Sequence, residues 1–300
     1  MKSRSAFLLA FFISCDKTPS EVVITDAPSK VERLTIQNAC DYDIWIQQDN
    51  IPNYDSLILM KSGESISIQI PEEGLASTRL WPKKDCDDSG NNCKVGQSSP
   101  PCPDNGCAPP VDSKLEVTWG CTLEDKSSCA KTPQGDVMYD TWWDSSAADG
   151  YTFPFTVNVL GGDSRDSCLP ANCSDLRLLD CPISDDLSDD GACPEFMYED
   201  LNVQSYLGCF SPCMKFVYPA FGGLDMNDPA GSIQKNYCCP TPPVSPEECS
   251  SGPVNTTGYV DLIHSACKNS VYGYPYDDGL GLRNCSADVE LQFVIGPNCP

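Results

Sequence analysis

The sequence has little of what several common kinds of functional site require. Its 300 residues include one histidine, His264, and 19 lysine and arginine residues against 43 acidic ones. A Ser-His-Asp or Cys-His enzyme is not supported, because His264 lies in a mildly apolar stretch more typical of a packed or surface residue. The net charge of −24 argues against nucleic acid and anionic membrane surfaces as partners. Neutral polymers such as polysaccharides remain compatible with this charge.

Long hydrophobic runs are also missing, and no segment has the length that a membrane-spanning helix needs. Lys2 and Arg4 precede a short apolar run at residues 6–13, which predicts a signal peptide over residues 1–15. The run ends in Phe-Ile-Ser-Cys, which resembles a bacterial lipobox and predicts lipidation of Cys15. A plain secretory signal is the alternative. Residues 16–30 are polar and predict a tether, so we expect an extracytoplasmic protein that is either lipid-anchored or secreted.

Cysteine, by contrast, is abundant, with 20 residues. This number is typical of disulfide-bonded proteins in an oxidising compartment. Zinc is the rival explanation, but repeated Cys-x-x-Cys knuckles and further histidines are missing. The acidic run at residues 185–190 lacks the glycine and glutamate positions of an EF-hand loop and is better explained as a solvated loop. We therefore expect disulfides, and neither a metal nor a cofactor.

Alternating polar and β-branched residues predict short strands along most of the chain. They lie at residues 34–38, 44–48, 65–70, 77–81, 115–119, 153–159 and 289–295. Turn-rich stretches separate them, which is typical of a mainly β protein with a β-sandwich. Residues 167–249 carry nine cysteines and few strand patterns, so we expect a disulfide-rich lobe there, with short helices near 176–179 and 209–217.

From Leu34 to Pro300 the sequence resembles thaumatin-like proteins. The segments that carry the resemblance are LTIQNAC at 34–40, STRLW at 77–81, WDSSAADGY at 143–151, YCC at 237–239, YPYDD at 274–278 and the final Cys-Pro. The resemblance implies one domain over residues 31–300, a thaumatin-like β-sandwich with a disulfide-rich lobe and an acidic cleft. It also implies a cysteine framework that spacing alone cannot supply.

The pairs implied by the resemblance are Cys40–Cys299, Cys86–Cys93, Cys102–Cys107, Cys168–Cys285, Cys173–Cys267, Cys193–Cys209, Cys213–Cys238 and Cys239–Cys249. Three cysteines of the mature chain are extra. Cys121 and Cys129 flank an insertion and are expected to pair with each other. Cys181 has no evident partner, but Cys181-Pro182 and Cys193-Pro194 compete for the same family position, so either cysteine can be the free thiol.

The family's cleft is lined by one arginine, one glutamate and three aspartates. The resemblance places them here at Arg79, Glu116, Asp144, Asp149 and Asp278, with Asp277 as a register alternative for Asp278. Glycoside hydrolysis usually needs one protonated and one ionised carboxyl. A catalytic interpretation has Glu116 as the acid and Asp144 as the base or nucleophile, with Arg79 orienting a carboxylate and Asp149 and Asp278 binding sugar hydroxyls. Four aromatic residues are candidates for stacking on sugar rings: Trp142, Trp143, Tyr151 and Tyr276.

Three functions remain open from the sequence. The first is recognition of a polysaccharide, in particular β-1,3-glucan, by a monomer whose only contact with a membrane is the N-terminal lipid. The second is weak endo-β-1,3-glucanase activity at the paired carboxylates. The third is a non-catalytic role in defence, predation against fungi or protein interaction, because an arginine among acidic residues can also be a structural ion-pair network.

Overall fold

The computed structural model describes residues 30–102, 107, 108, 110–132, 134–161, 165–185, 187, 196–200, 205–217, 231 and 234–300. The predicted signal peptide, Cys15, nearly all of the predicted tether and Cys193 lie outside these ranges. Within them, no helix has the length and apolar character needed to cross a membrane.

Fourteen strands are described. They are β1 (Lys30–Asn38), β2 (Ile44–Asp49), β3 (Leu57–Met60), β4 (Ser65–Pro71), β5 (Leu75–Lys83), β6 (Lys114–Trp119), β7 (Thr141–Ser146), β8 (Gly150–Tyr151), β9 (Phe155–Val159), β10 (Ala171–Cys173), β11 (Met197–Asp200), β12 (Ser205–Phe210), β13 (Arg283–Cys285) and β14 (Leu291–Ile295). Each of the seven predicted strand segments overlaps one of them. The period-two pattern was therefore a reliable guide in the sandwich.

The helices are short. They are α1 (Pro212–Val217), α2 (Pro246–Ser250), α3 (Gly258–Ala266) and α4 (Asp278–Gly281), with 3-10 turns at Lys126–Ser128, Leu178–Asp180 and Pro253–Thr256 and a π turn at Gln234–Cys238. The two predicted short helices correspond to the 3-10 turn at Leu178–Asp180 and to α1. The disulfide-rich segment holds more strand than we expected, because β11 and β12 form a three-stranded sheet with β8.

Two larger sheets enclose one hydrophobic core. A five-stranded sheet has the order β10-β9-β14-β1-β4, and a six-stranded sheet has the order β13-β7-β6-β5-β2-β3. Ile36 and Phe293 from the first sheet and Leu80, Leu115 and Trp143 from the second belong to a single buried cluster. The predicted mainly β sandwich is confirmed. The outer face of the six-stranded sheet is free to carry polar side chains, because successive residues of a strand point to opposite faces.

Helix α3 was not predicted as a helix. Its N-terminus is capped twice: the Thr257 hydroxyl accepts a hydrogen bond from the Val260 N–H, and the Asp185 carboxylate accepts from the N–H groups of Gly258 and Tyr259. Caps of this kind satisfy amides that have no partner inside the helix. Asp185, the first residue of the predicted acidic loop, therefore stabilises a helix end.

Nine disulfides are present in the described residues, which is consistent with an extracytoplasmic protein. Seven of the implied pairs and the predicted pair Cys121–Cys129 are confirmed. The pair Cys193–Cys209 is wrong, because Cys209 bonds to Cys181 with a Cα–Cα distance of 5.8 Å. The 3-10 turn that ends before Cys181 packs against β12, which carries Cys209. Of the two candidates for the free thiol, Cys181 is thus excluded.

Candidate functional site

A cleft of about 380 Å³ lies on the face of the six-stranded sheet that points away from the core. The side chains that matter chemically come from four adjacent strands and from the end of α4: Asp49, Arg79, Glu116, Trp142, Asp144 and Leu282. Leu80, Val117 and Trp143 are buried in the core, so the residues next to them along each strand face the cleft.

A row of four charged residues crosses the sheet inside this cleft. Asp49 lies opposite Arg79, Arg79 lies opposite Glu116, and Glu116 lies opposite Asp144 in the antiparallel register of β2, β5, β6 and β7. Directly opposite residues have Cβ atoms about 4.5–5.5 Å apart, so their side chains interact. The three predicted residues Arg79, Glu116 and Asp144 are therefore brought together by strand register.

Asp49 was not among the site residues predicted from the sequence. It has the same parity as Trp45 and Gln47 in β2, so the alternation that predicted this strand also places Asp49 on the cleft face. Its position opposite Arg79 follows only from the pairing of β2 with β5. The strands β3 and β4 lie between these two strands along the chain.

Arg79 is held at the centre of the row. Its Nε atom lies 3.6 Å from Oε1 of Glu116, and its guanidinium carbon lies 5.5 Å from the ring centre of Trp81. The same Nε is buried and has no hydrogen-bond partner among the described residues. A buried donor without a partner is costly, and a ligand oxygen in the cleft would relieve that cost.

The acid–base chemistry of Asp144 is perturbed. Burial and the facing Glu116 carboxylate raise its pKa to about 7, while Lys114 and Arg79 oppose the shift. Like charges directly opposite each other on neighbouring strands destabilise a sheet. A large fraction of Asp144 is consequently protonated at neutral pH, which is the state a proton donor requires.

Asp278 is the first residue of α4, four residues before Leu282, which lines the cleft. Its Oδ1 accepts a hydrogen bond from the Tyr272 hydroxyl, and its charge contributes to the raised pKa of Asp144. Tyr272 is itself tied to β7, because its N–H donates to the Ser145 carbonyl at 3.1 Å. The side chain of Asp277, by contrast, is buried and lies 2.8 Å from His264. Asp278 is thus the better assignment of the two.

Asp149 does not line the cleft. Its carboxylate accepts a hydrogen bond from Lys114 Nζ at 2.5 Å, and the Lys114 side chain is only 2% exposed. Lys114 in turn opposes the rise in the pKa of Asp144. Asp149 therefore neutralises a buried lysine that lies two residues before Glu116 on β6, and its contribution to the cleft is indirect.

Only one of the four aromatic candidates lines the cleft. Trp142 is 46% exposed and lies on β7, two residues before Asp144 and on the same face. Trp143 and Tyr151 are each 1% exposed, so their predicted role in stacking is wrong: the first points into the core by strand alternation, and the second packs against Tyr259. Tyr276 donates its hydroxyl to Thr241 instead of lining the cleft.

Two further charged residues, Asp112 and Lys83, are buried. Burial raises the pKa of Asp112 to about 6, against the hydrogen bond from Ser98 and the nearby charge of Lys114. Burial lowers the pKa of Lys83 to about 8, and its Nζ donates to Gln47 Oε1 at 3.0 Å. In the described ranges, no group of three or more histidine, cysteine and acidic side chains is placed to hold a metal ion.

Two plant proteins are relatives of the chain. It is 25% identical to thaumatin-like protein 1 of Arabidopsis thaliana over 280 residues, which cover 89% of this chain and 86% of that one. It is 24% identical to thaumatin-like protein 1 of Castanea sativa over 278 residues, covering 88% and 90% of the two chains.

Two solved structures share the fold at 13% identity. One is a laminaripentaose-producing β-1,3-glucanase in complex with laminaritetraose, with a TM-score of 0.52 and coverage of 88% of this chain and 98% of that one. The other is the family 64 laminaripentaose-producing β-1,3-glucanase of Paenibacillus barengoltzii complexed with laminarihexaose, with a TM-score of 0.50 and coverage of 94% and 80%. The model of the thaumatin family matches residues 38–297. This chain belongs to the thaumatin family.

Proposed function

We propose that the protein binds β-1,3-glucan chains in the cleft of the six-stranded sheet. The observation that carries this proposal is the row of Arg79, Glu116 and Asp144 across three strands with the exposed Trp142 beside it. Sugar recognition uses this combination, because carboxylates and guanidinium groups bond hydroxyls while an indole covers the apolar face of a ring. Glucanases of the same fold with bound laminari-oligosaccharides support the choice of β-1,3-glucan.

Charge supports a neutral ligand. With 43 acidic residues against 19 basic ones, the protein repels polyanions at long range. A glucan carries no charge, so its binding depends on hydrogen bonds and stacking inside the cleft. The buried Nε of Arg79, which lacks a partner among the described residues, would gain one from a sugar hydroxyl.

Hydrolysis is the second candidate, and the pKa of Asp144 is the observation that favours it. A glycosidase needs a carboxyl that is protonated near neutral pH and an ionised one beside it. Asp144 has a pKa of about 7, and Glu116 faces Arg79 and is 40% exposed. The charges thus favour the opposite of the roles expected from the sequence, with Asp144 as the acid and Glu116 as the base or nucleophile.

The test separates binding from hydrolysis. Calorimetric titration with laminarihexaose measures binding, and a reducing-sugar assay on β-1,3-glucan measures product. Binding without product supports recognition alone, and product that is lost in Glu116→Gln and Asp144→Asn supports the enzyme. If the wild-type protein neither binds nor releases product, both proposals are overturned and a role in protein interaction is favoured.

We also propose that residues 1–15 direct export and that a lipid on Cys15 anchors the domain, which acts as a monomer at the outer side of the membrane. The support is the lipobox-like sequence at residues 12–15 and the nine disulfides, which need an oxidising compartment. Mass spectrometry of the N-terminal peptide would show the lipid, and Cys15→Ala should release the protein from the membrane fraction. Retention of Cys15→Ala in that fraction would contradict the anchor, and light scattering of a soluble form checks the monomer.

A further inference from the structure

The single histidine of the chain bonds to Asp277, in a segment that contributes Leu282 to the lining of the cleft. His264 is on α3, and its Nε2 atom lies 2.8 Å from Oδ2 of Asp277. The same oxygen accepts the Gly273 N–H at 2.9 Å. Because a carboxylate only accepts hydrogen bonds, His264 is the donor in this contact.

Asp277 is the anchor of this loop. Its side chain is 6% exposed, and its main-chain carbonyl accepts the N–H groups of Leu280 and Gly281 at 2.9 Å each, which forms the first turn of α4. Tyr276, immediately before it, has a left-handed backbone with φ of 65°, a conformation that costs a non-glycine residue energy. The buried contact with His264 helps to keep the chain in this conformation.

The loop is packed tightly at both ends. A Cβ atom at position 273 would lie 3.1 Å from His264 Nε2, and one at Gly281 would lie 2.2 Å from the Tyr272 ring. Tyr272 donates to Asp278 and bonds to β7 next to Asp144. A displacement of Asp277 would therefore be passed on to Asp278 and Tyr272, one residue after the anchor and five residues before it.

We propose that His264 is a positioning residue for the cleft, which rests on the glucan-binding function proposed above. Its hydrogen bond to Asp277 holds the loop of residues 270–282 so that Leu282 lines the cleft and Asp278 stays close to Asp144, where a sugar binds. His264 itself does not line the cleft. Its effect on binding is exerted through Asp277.

Three variants distinguish the effect of the His264 hydrogen bond from the effect of packing by its ring. His264→Leu removes the donor, His264→Gln keeps an N–H donor at a similar reach, and Ser265→Ala changes an exposed neighbour on the same helix and is the matched control. The first readout is amide hydrogen exchange of residues 270–282 in the free protein. The second is the Kd for laminarihexaose from calorimetric titration.

We expect His264→Leu to speed exchange in this loop by about tenfold and to raise the Kd by about 5–20-fold, because a buried carboxylate loses a partner. His264→Gln should stay within about threefold of the wild type in both readouts, as should Ser265→Ala. Wild-type exchange and Kd in His264→Leu would overturn the proposal. Equal losses in His264→Gln and His264→Leu would also overturn it, because ring packing would then explain the effect.

A spectroscopic signature adds an independent check. His264 is the only histidine in the sequence, so the imidazole signals of the untagged protein need no assignment by mutation. Addition of laminarihexaose should shift these signals although His264 lies outside the cleft, and no shift on saturation would contradict the coupling. If the wild-type protein fails to bind laminarihexaose, the proposed function fails, and the exchange of residues 270–282 still decides whether His264 holds the loop.

Discussion

Glu116 and Asp144 lie directly opposite each other on neighbouring antiparallel strands, and both side chains face the same cleft. Two carboxylates in this arrangement destabilise the sheet unless one is protonated or a cation lies nearby. Both conditions are met here, because the pKa of Asp144 is raised to about 7 and Arg79 lies beside Glu116. A charge pair that costs stability in a structured sheet is typical of a functional site.

The first prediction concerns stability and pH. The pKa of Asp144 is higher in the folded protein than the ordinary value near 3.9, so the folded state binds more protons between about pH 4 and pH 7. The free energy of unfolding should fall as pH rises through this window. Asp144→Asn removes the charge and should raise the free energy of unfolding at pH 7 by at least about 1 kcal/mol.

Urea unfolding of both proteins at several pH values between 4 and 7 checks this. The wild type should lose stability with pH more steeply than Asp144→Asn, and Asp112 should account for part of the slope that remains, because its pKa is raised to about 6. Parallel pH dependences for the two proteins would contradict the raised pKa of Asp144.

The second prediction concerns the exposed indole. Trp142→Ala should weaken binding of laminarihexaose by about 10-fold, because truncation of an aromatic residue that anchors a ligand costs on the order of 1–2 kcal/mol. Stability should change little, since the side chain is 46% exposed. Tyr139→Ala is the matched control, because Tyr139 is 58% exposed nearby in sequence and does not line the cleft. Equal losses in both variants would argue against a specific stacking site.

The third prediction concerns Asp149, which pairs with a buried lysine. Asp149→Ala leaves Lys114 buried without this partner and should destabilise the protein by about 1–3 kcal/mol, less than the loss of a fully buried pair because Asp149 is 37% exposed. Lys114→Met in the same chain should recover part of this loss, because the unpaired charge is then removed. Thermal unfolding of the single and double variants measures both effects. If Asp149 bound a sugar directly, Asp149→Ala would instead weaken binding with little loss of stability.

The fourth prediction concerns the disulfide of Cys209. Cys193→Ala should leave the bond between Cys181 and Cys209 intact, whereas Cys181→Ala should abolish it. Loss of this bond should cost about 2–4 kcal/mol, in line with other native disulfides. Mapping of peptides from the unreduced protein by mass spectrometry identifies the bond. A peptide that links Cys193 to Cys209 in the wild type would contradict the pairing.

The strands of the sandwich could be predicted because a half-buried strand leaves its period of two in the sequence. Residues 65–70 alternate polar side chains with isoleucine and lie in β4, with Ile68 and Ile70 in the core. Helix α3 was harder to recognise, because it is nine residues long and part of its N-terminal cap comes from Asp185, 73 residues earlier. Local patterns do not report caps that come from distant segments.

The row of charged residues could likewise be predicted only in part from the sequence. Alternation puts Arg79, Glu116 and Asp144 on the outer face of their strands, and the family resemblance singled them out. Opposing positions are set by register, which depends on pairing between segments that are dozens of residues apart. The position of Asp149 outside the cleft also depends on the fold, because β6 brings Lys114 beside the Asp149 carboxylate.

Composition and pattern alone were enough for a disulfide-bonded, mainly β protein with an acidic surface, because these properties depend on residue types and short-range periodicity. Which side chains contact each other was decided only by the tertiary structure. Glu116 raises the pKa of Asp144, Cys181 reaches Cys209, and Asp277 turns inward to His264 while Asp278 turns outward. Each of these contacts joins segments that the fold brings close together. Electrostatic interactions and disulfide bonds both require this short distance.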